Sequence, residues 1–66
     1  MIALSSSNLS GADYDGSTLT VAFNDGAVYN YYGVPYSEFT GLIQASSHGR
    51  YFHAHIKDRY PYRRIR

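Results

Sequence analysis

The sequence predicts an α+β domain built as a three-stranded antiparallel β-meander followed by two short helices and an extended C-terminal segment. From Asn8 to Tyr32 apolar and polar residues alternate with period two, and the alternation is broken by glycine-bearing turn signals at 15–17 and 24–26. From Pro35 onward apolar residues recur at helical spacing, and Pro61 ends that pattern.

The first strand lies in "NLSGADYD", where Ala12 and Tyr14 share a face, and the "DGS" at 15–17 supplies a turn whose Gly16 is free to take positive φ. In "TLTVAF", Leu19, Val21 and Phe23 face one way and Thr18, Thr20 and Ala22 the other, the pattern of a half-buried strand. "NDG" at 24–26 is a second hairpin turn. In "AVYNYY", Ala27, Tyr29 and Tyr31 then oppose Val28, Asn30 and Tyr32, with Asn30 marking the wetter face.

Pro35 suits a first helical turn and Glu38 suits its positive end, while Phe39, Leu42 and Ile43 form an apolar stripe. Gly41 costs that helix about 1 kcal/mol relative to alanine, which implies close packing against a neighbour. Ser46 or Ser47 is placed to cap a second helix starting near Gly49. Phe52 and Ile56 form its stripe, Arg59 or Tyr60 continues it, and Pro61 stops it. Tyr60 precedes a proline and so disfavours α conformation, which makes "PYRRIR" a segment expected to lie extended against the sheet. Residues 1–66 form a single domain in this reading, with residues 1–6 a loose lead-in.

At 66 residues without cysteine, no disulfide or cysteine-ligated metal can staple the fold. Leu, Ile, Val and Phe number only 14, near the disorder threshold, so several of the eight tyrosines must bury their rings to complete a core. Residues 1–49 carry four acidic and no basic side chains, whereas 50–66 carry six basic residues and Asp58, a division of −4 against +5. Such a division points to a basic surface that meets an anion, or to two ends that attract each other. Met1–Leu4 has no basic start or long apolar run, and no stretch approaches the roughly 20 apolar residues of a membrane span. A soluble cytoplasmic protein with no membrane partner is therefore expected.

No enzyme is expected. Outside turns the carboxylates are Asp13, Glu38 and Asp58, too scattered for an acid–base pair, and the serines of "SSSNLS" have no His or Asp at motif spacing. His53 and His55 on a helix point about 200° apart, and no further ligands stand at zinc spacing, so neither metal nor cofactor is expected.

Nucleic-acid binding has more support. Arg50, Lys57, Arg59, Arg63 and Arg64 would contact phosphate, and Tyr29, Tyr31, Tyr51 and Tyr62 are candidates for stacking on bases. Core packing competes for Tyr29 and Tyr31, and a solvated face competes for the arginines. The alternative is a self-associating small protein in which the acidic strand half meets the basic helix half of another copy. Such a homo-oligomer could also capture a nucleotide or cyclic dinucleotide signal at its interface, as a phage countering host defence needs. Docking of a protein partner on the tyrosine-rich surface is a further class.

"SSSNLSGADYD", "LTVAFNDGAVYNYYGVP", "SSHGRYF" and "IKDRYPYRRI", in that order, resemble the KTSC domain, a small domain named for the C-terminus of some lysyl-tRNA synthetases and also found free-standing in bacteria and phages. The resemblance spans about residues 6–65. It rests on Tyr29-Asn30-Tyr31, Val34-Pro35, Gly49 with Tyr51-Phe52, and Tyr60-Pro61-Tyr62. His53 stands where the family usually has asparagine. The resemblance implies RNA binding, through the family's attachment to synthetases.

Overall fold

The computed structural model describes residues 1–66, with β1 (Ile2–Ala3), β2 (Leu9–Tyr14), β3 (Leu19–Phe23), β4 (Val28–Tyr31), α1 (Tyr36–Gln44), α2 (His48–His55) and β5 (Tyr62–Arg64). The strands form one antiparallel sheet in the order β1-β2-β3-β4-β5. The α+β meander expected from sequence is present, but it has five strands rather than three. Ile2 and Ala3 pair with Ala12 and Gly11, and the buried Leu4 just after them ties the lead-in down. Two residues are too few for alternation to register in sequence. At the other end, Tyr62, Arg63 and Arg64 pair with Tyr31, Asn30 and Tyr29, which turns the extended segment into an edge strand.

Local chemistry sets the turns. The Asp15 carboxylate accepts from the backbone N–H groups of Thr18 (2.7 Å) and Ser17 (3.0 Å), and these bonds hold its pKa below the ordinary value. Gly16 takes φ 104°, as this turn requires. Within β2 a register shift between Leu9 and Gly11 lets Leu9 and Ala12, three positions apart, both face the core. β3 keeps strict alternation, burying Leu19 and Val21 and leaving Thr20 half-exposed.

Both helices cover the same face of the sheet. α1 contributes Phe39 and Leu42 to the core and α2 contributes Phe52, followed by Ile56. A Cβ added to Gly41 would collide with the hydroxyl end of the Tyr51 ring, so the glycine is what lets that ring of α2 lie over α1. Ser47 caps α2 by accepting from the Arg50 N–H at 3.3 Å. The helix ends earlier than expected. Ile56 is its C-cap, and Asp58 takes a left-handed φ of 64°, so the chain leaves the helix before Pro61 and the stripe does not continue through Arg59 or Tyr60 as helix.

Candidate functional site

α2 ends short of the β4–β5 margin, and there the inner face of the sheet is open. The result is a hollow of about 370 Å³, in the range of small-molecule pockets, lined by residues of β3, β4, β5, α2 and the turns beside them. Five rings form its wall. Tyr29 and Tyr31 lie stacked, with centroids 6.3 Å apart, because they are two residues apart on one strand face. Phe52 meets Tyr31 edge-on at 5.5 Å and Phe23 at 5.6 Å, while Phe23 meets Tyr29 edge-on at 5.5 Å. Tyr62, brought alongside by the β4–β5 register, lies 5.7 Å from Tyr29 and 5.8 Å from Tyr31.

Exposure rises across these rings. Tyr31 is 5% exposed, Tyr29 is half-buried and Tyr62 is 58% exposed, so Tyr31 belongs to the core and Tyr62 offers a ring face to solvent. Burial pushes the Tyr31 phenol up to about 12, with the neighbouring Tyr29 and Tyr62 and the Asp58 carboxylate adding to the effect. The hydroxyls of Tyr14 and Tyr51 bond to Val34 O and to Glu38, whereas those of Tyr29, Tyr31 and Tyr62 have no partner within the chain.

Four charged side chains line the hollow, Lys57 and Arg64 against Asp25 and Asp58, so their formal charges cancel. Asp25 Oδ1 is engaged by the Ala27 N–H at 3.0 Å, and Arg64 Nε donates to the Arg66 carbonyl at 3.0 Å. Asn8 and His53 complete the polar lining. The left-handed Asp58 is also the residue that directs the chain from α2 toward β5.

Of the nine residues singled out from sequence, the fold gathers Tyr29, Tyr31, Lys57, Tyr62 and Arg64 around this hollow. The other four lie elsewhere. Tyr51 belongs to the helix pair: it sits over Gly41, stacks on His55 at 4.2 Å and donates to Glu38 Oε1 at 2.5 Å, a bond that pushes its phenol up to about 12. Arg50 lines a separate shallow depression formed by the serines of residues 5–7 and 46–47, and Arg59 borders another beside His53. Arg63 pairs with Asn30 and lies on the opposite face of the sheet.

Sequence reasoning missed Phe23, Phe52, Asp25, Asp58, Asn8 and His53 as lining residues. Phe23 and Phe52 carried a signal, their density among aromatics, but their apolar stripes assigned them to the core. Asp25 sat in a hairpin turn, where a carboxylate has a local explanation, and Asp58 was weighed only as one of three scattered carboxylates outside turns. No three or more His, Asp or Glu side chains gather at metal-ligand spacing, and no helix is long and apolar enough to cross a membrane.

A profile of the KTSC domain matches residues 5–60. A solved KTSC domain protein from Yersinia pestis superposes with a TM-score of 0.89 at 33% identity, covering 97% of this chain and 93% of that one. A Stutzerimonas stutzeri protein described only as uncharacterized is 40% identical over 97% of this chain and 94% of its own length. Lysine-tRNA ligases of Trichormus variabilis and a Nostoc species are 42% and 40% identical over 48 residues, 73% of this chain. The chain corresponds to 9% of the length of each ligase.

Proposed function

The chain belongs to the KTSC domain family, and from that premise we propose that it is a non-enzymatic RNA-binding module that takes one unstacked base of a single strand into the hollow between β4, β5 and the end of α2. The observation that carries this is the convergence of five aromatic rings with Lys57 and Arg64 on one open hollow. Bases stack on exposed aromatic faces, and basic side chains at the rim follow the flanking phosphates. The similarity to a short stretch of two lysine-tRNA ligases supports RNA as the ligand.

The balanced charge of the hollow favours one class of ligand over another. Asp25 and Asp58 beside the rings offset Lys57 and Arg64, which favours a neutral base over a multiply charged nucleotide or cyclic dinucleotide. Carboxylates accept hydrogen bonds from exocyclic amino groups, as they do from the cytosine N4 amine. Bases bearing such groups therefore fit better than uracil.

The test is fluorescence anisotropy of labelled single-stranded oligonucleotides and tRNA. Two phosphate contacts give a slope of about −1.4 in log K against log salt, so binding should weaken about sevenfold between 50 and 200 mM salt. Tyr62→Ala should weaken it by roughly tenfold to a hundredfold through lost stacking. Oligo-A or oligo-C should outcompete oligo-U, and Arg63→Ala, on the other face, should change little. No binding at 50 mM salt, or equal losses from Arg63→Ala and Tyr62→Ala, would overturn the proposal.

A further inference from the structure

The outer face of the sheet has no helix over it, and its side chains form two ordered rows. Asp13 pairs with Thr20, Thr20 with Asn30 and Asn30 with Arg63, so one row crosses β2 to β5 as acid, hydroxyl, amide and base. Thr20 Oγ1 donates to Asn30 Oδ1 at 2.7 Å, which fixes the middle of the row, while Asp13 and Arg63 at its ends are exposed. The neighbouring row is apolar. Gly11 pairs with Ala22 and Ala22 with Val28, and Ile65 donates its N–H to Val28 O at 2.7 Å. The Met1 side chain covers Gly11, and Met1 and Ile65 are 65% and 54% exposed.

We propose that this face is an interface with a second copy of the chain, packed sheet on sheet about a two-fold axis that runs parallel to the strands between β3 and β4. The charges select that axis. Rotation about it exchanges β2 with β5 and β3 with β4, so Asp13 of each copy meets Arg63 of the other, and Thr20 meets Asn30. The same operation sets Ala22 against Val28 and the Met1-covered Gly11 against Ile65, so apolar meets apolar. An in-plane axis perpendicular to the strands would instead stack Asp13 on Asp13 and Arg63 on Arg63. Sheets packed with near-aligned strands are the common arrangement, and a two-fold interface is self-complementary by construction. This pairing differs from one of acidic half on basic half, and it gives Arg63 a role away from the aromatic hollow.

The dimer is tested by sedimentation velocity across protein concentrations in low salt, without nucleic acid. The wild-type chain should dimerise reversibly, and the association should weaken with salt because its ion pairs lie at the ends of the row. Asp13→Arg and Arg63→Asp each place like charges in contact twice per dimer and should weaken self-association roughly tenfold or more. The two variants mixed should associate with each other, because every end contact is then Arg against Asp. Both sites are exposed, and circular dichroism of each variant checks that the fold is retained. A monomer at every concentration, a dimer unaffected by Asp13→Arg, or a failure of the mixture to restore association would each overturn the proposal.

Discussion

Gly41→Ala should destabilise the protein, although alanine is the better helix former. In an open helix the exchange is worth about 1 kcal/mol in favour of alanine. Here the added Cβ would collide with the Tyr51 hydroxyl oxygen and fall 2.5 Å from its Cζ, so the ring must move. The ring is held on the other side by the 2.5 Å bond to Glu38 and by stacking on His55 at 4.2 Å. A hydrogen bond to a charged group contributes about 1.5–3 kcal/mol, and the half-exposed position favours the low end because water can replace it. Adding about 1 kcal/mol for lost ring contacts and subtracting the helix gain leaves a net loss of about 1–2 kcal/mol. For a domain this small that lowers Tm by about 4–8 °C per kcal/mol. In a Tyr51→Ala background the obstruction is gone, and Gly41→Ala should raise Tm by the intrinsic helix preference. The sign reversal is the signature, and thermal and urea unfolding of the four proteins would measure it as a coupling of about 2–3 kcal/mol. If Gly41→Ala stabilises with Tyr51 in place, close packing does not explain the glycine.

Alkaline unfolding offers a second check. The Tyr31 phenol is pushed up to about 12 by burial, so the unfolded chain ionises first as pH passes 10. The stability this group contributes is therefore complete below pH 10 and lost between about 10 and 12, and Tyr31→Phe should flatten that part of the profile in pH-dependent urea melts. Ser47→Ala should cost about 1 kcal/mol or somewhat less, since its cap bond to the Arg50 N–H is a long 3.3 Å, and a thermal melt resolves this. Asp58→Gly should raise stability slightly by relieving the left-handed φ of 64° while weakening the proposed RNA binding, and parallel melts and anisotropy titrations separate the two effects.

What was legible in the sequence is what short-range physics controls. The hairpin glycines, a serine cap at 46 or 47 and the alternation of β3 each depend on a few neighbouring residues, and each is present, while Gly41 announced a close approach without naming Tyr51 as its partner. The misses are long-range. β1 is two residues whose pairing depends on Leu4 finding the core, whereas the C-terminal segment, expected to lie extended against the sheet, does so as β5. The early end of α2 was hidden because Pro61 offered a sufficient stop, while the left-handed Asp58 leaves no mark in composition. The basic C-terminal run looked like one surface because it is contiguous in sequence. A β-strand sends successive side chains to opposite faces, so Arg63 and Arg64 part company, and only Arg64 reaches the hollow.

A chain with so few aliphatic residues must build its interior from rings, yet a fully buried tyrosine has to partner its hydroxyl. Tyr14 meets that requirement by bonding to a backbone carbonyl and Tyr51 by bonding to Glu38. Tyr31 lies in the core, Tyr29 packs against it and Tyr62 stands exposed beside them, all three lining the hollow, and no buried polar atom is left without a partner. Lys57 and Asp58, the two residues after the C-cap Ile56, line the hollow, so the end of α2 and one margin of the hollow coincide.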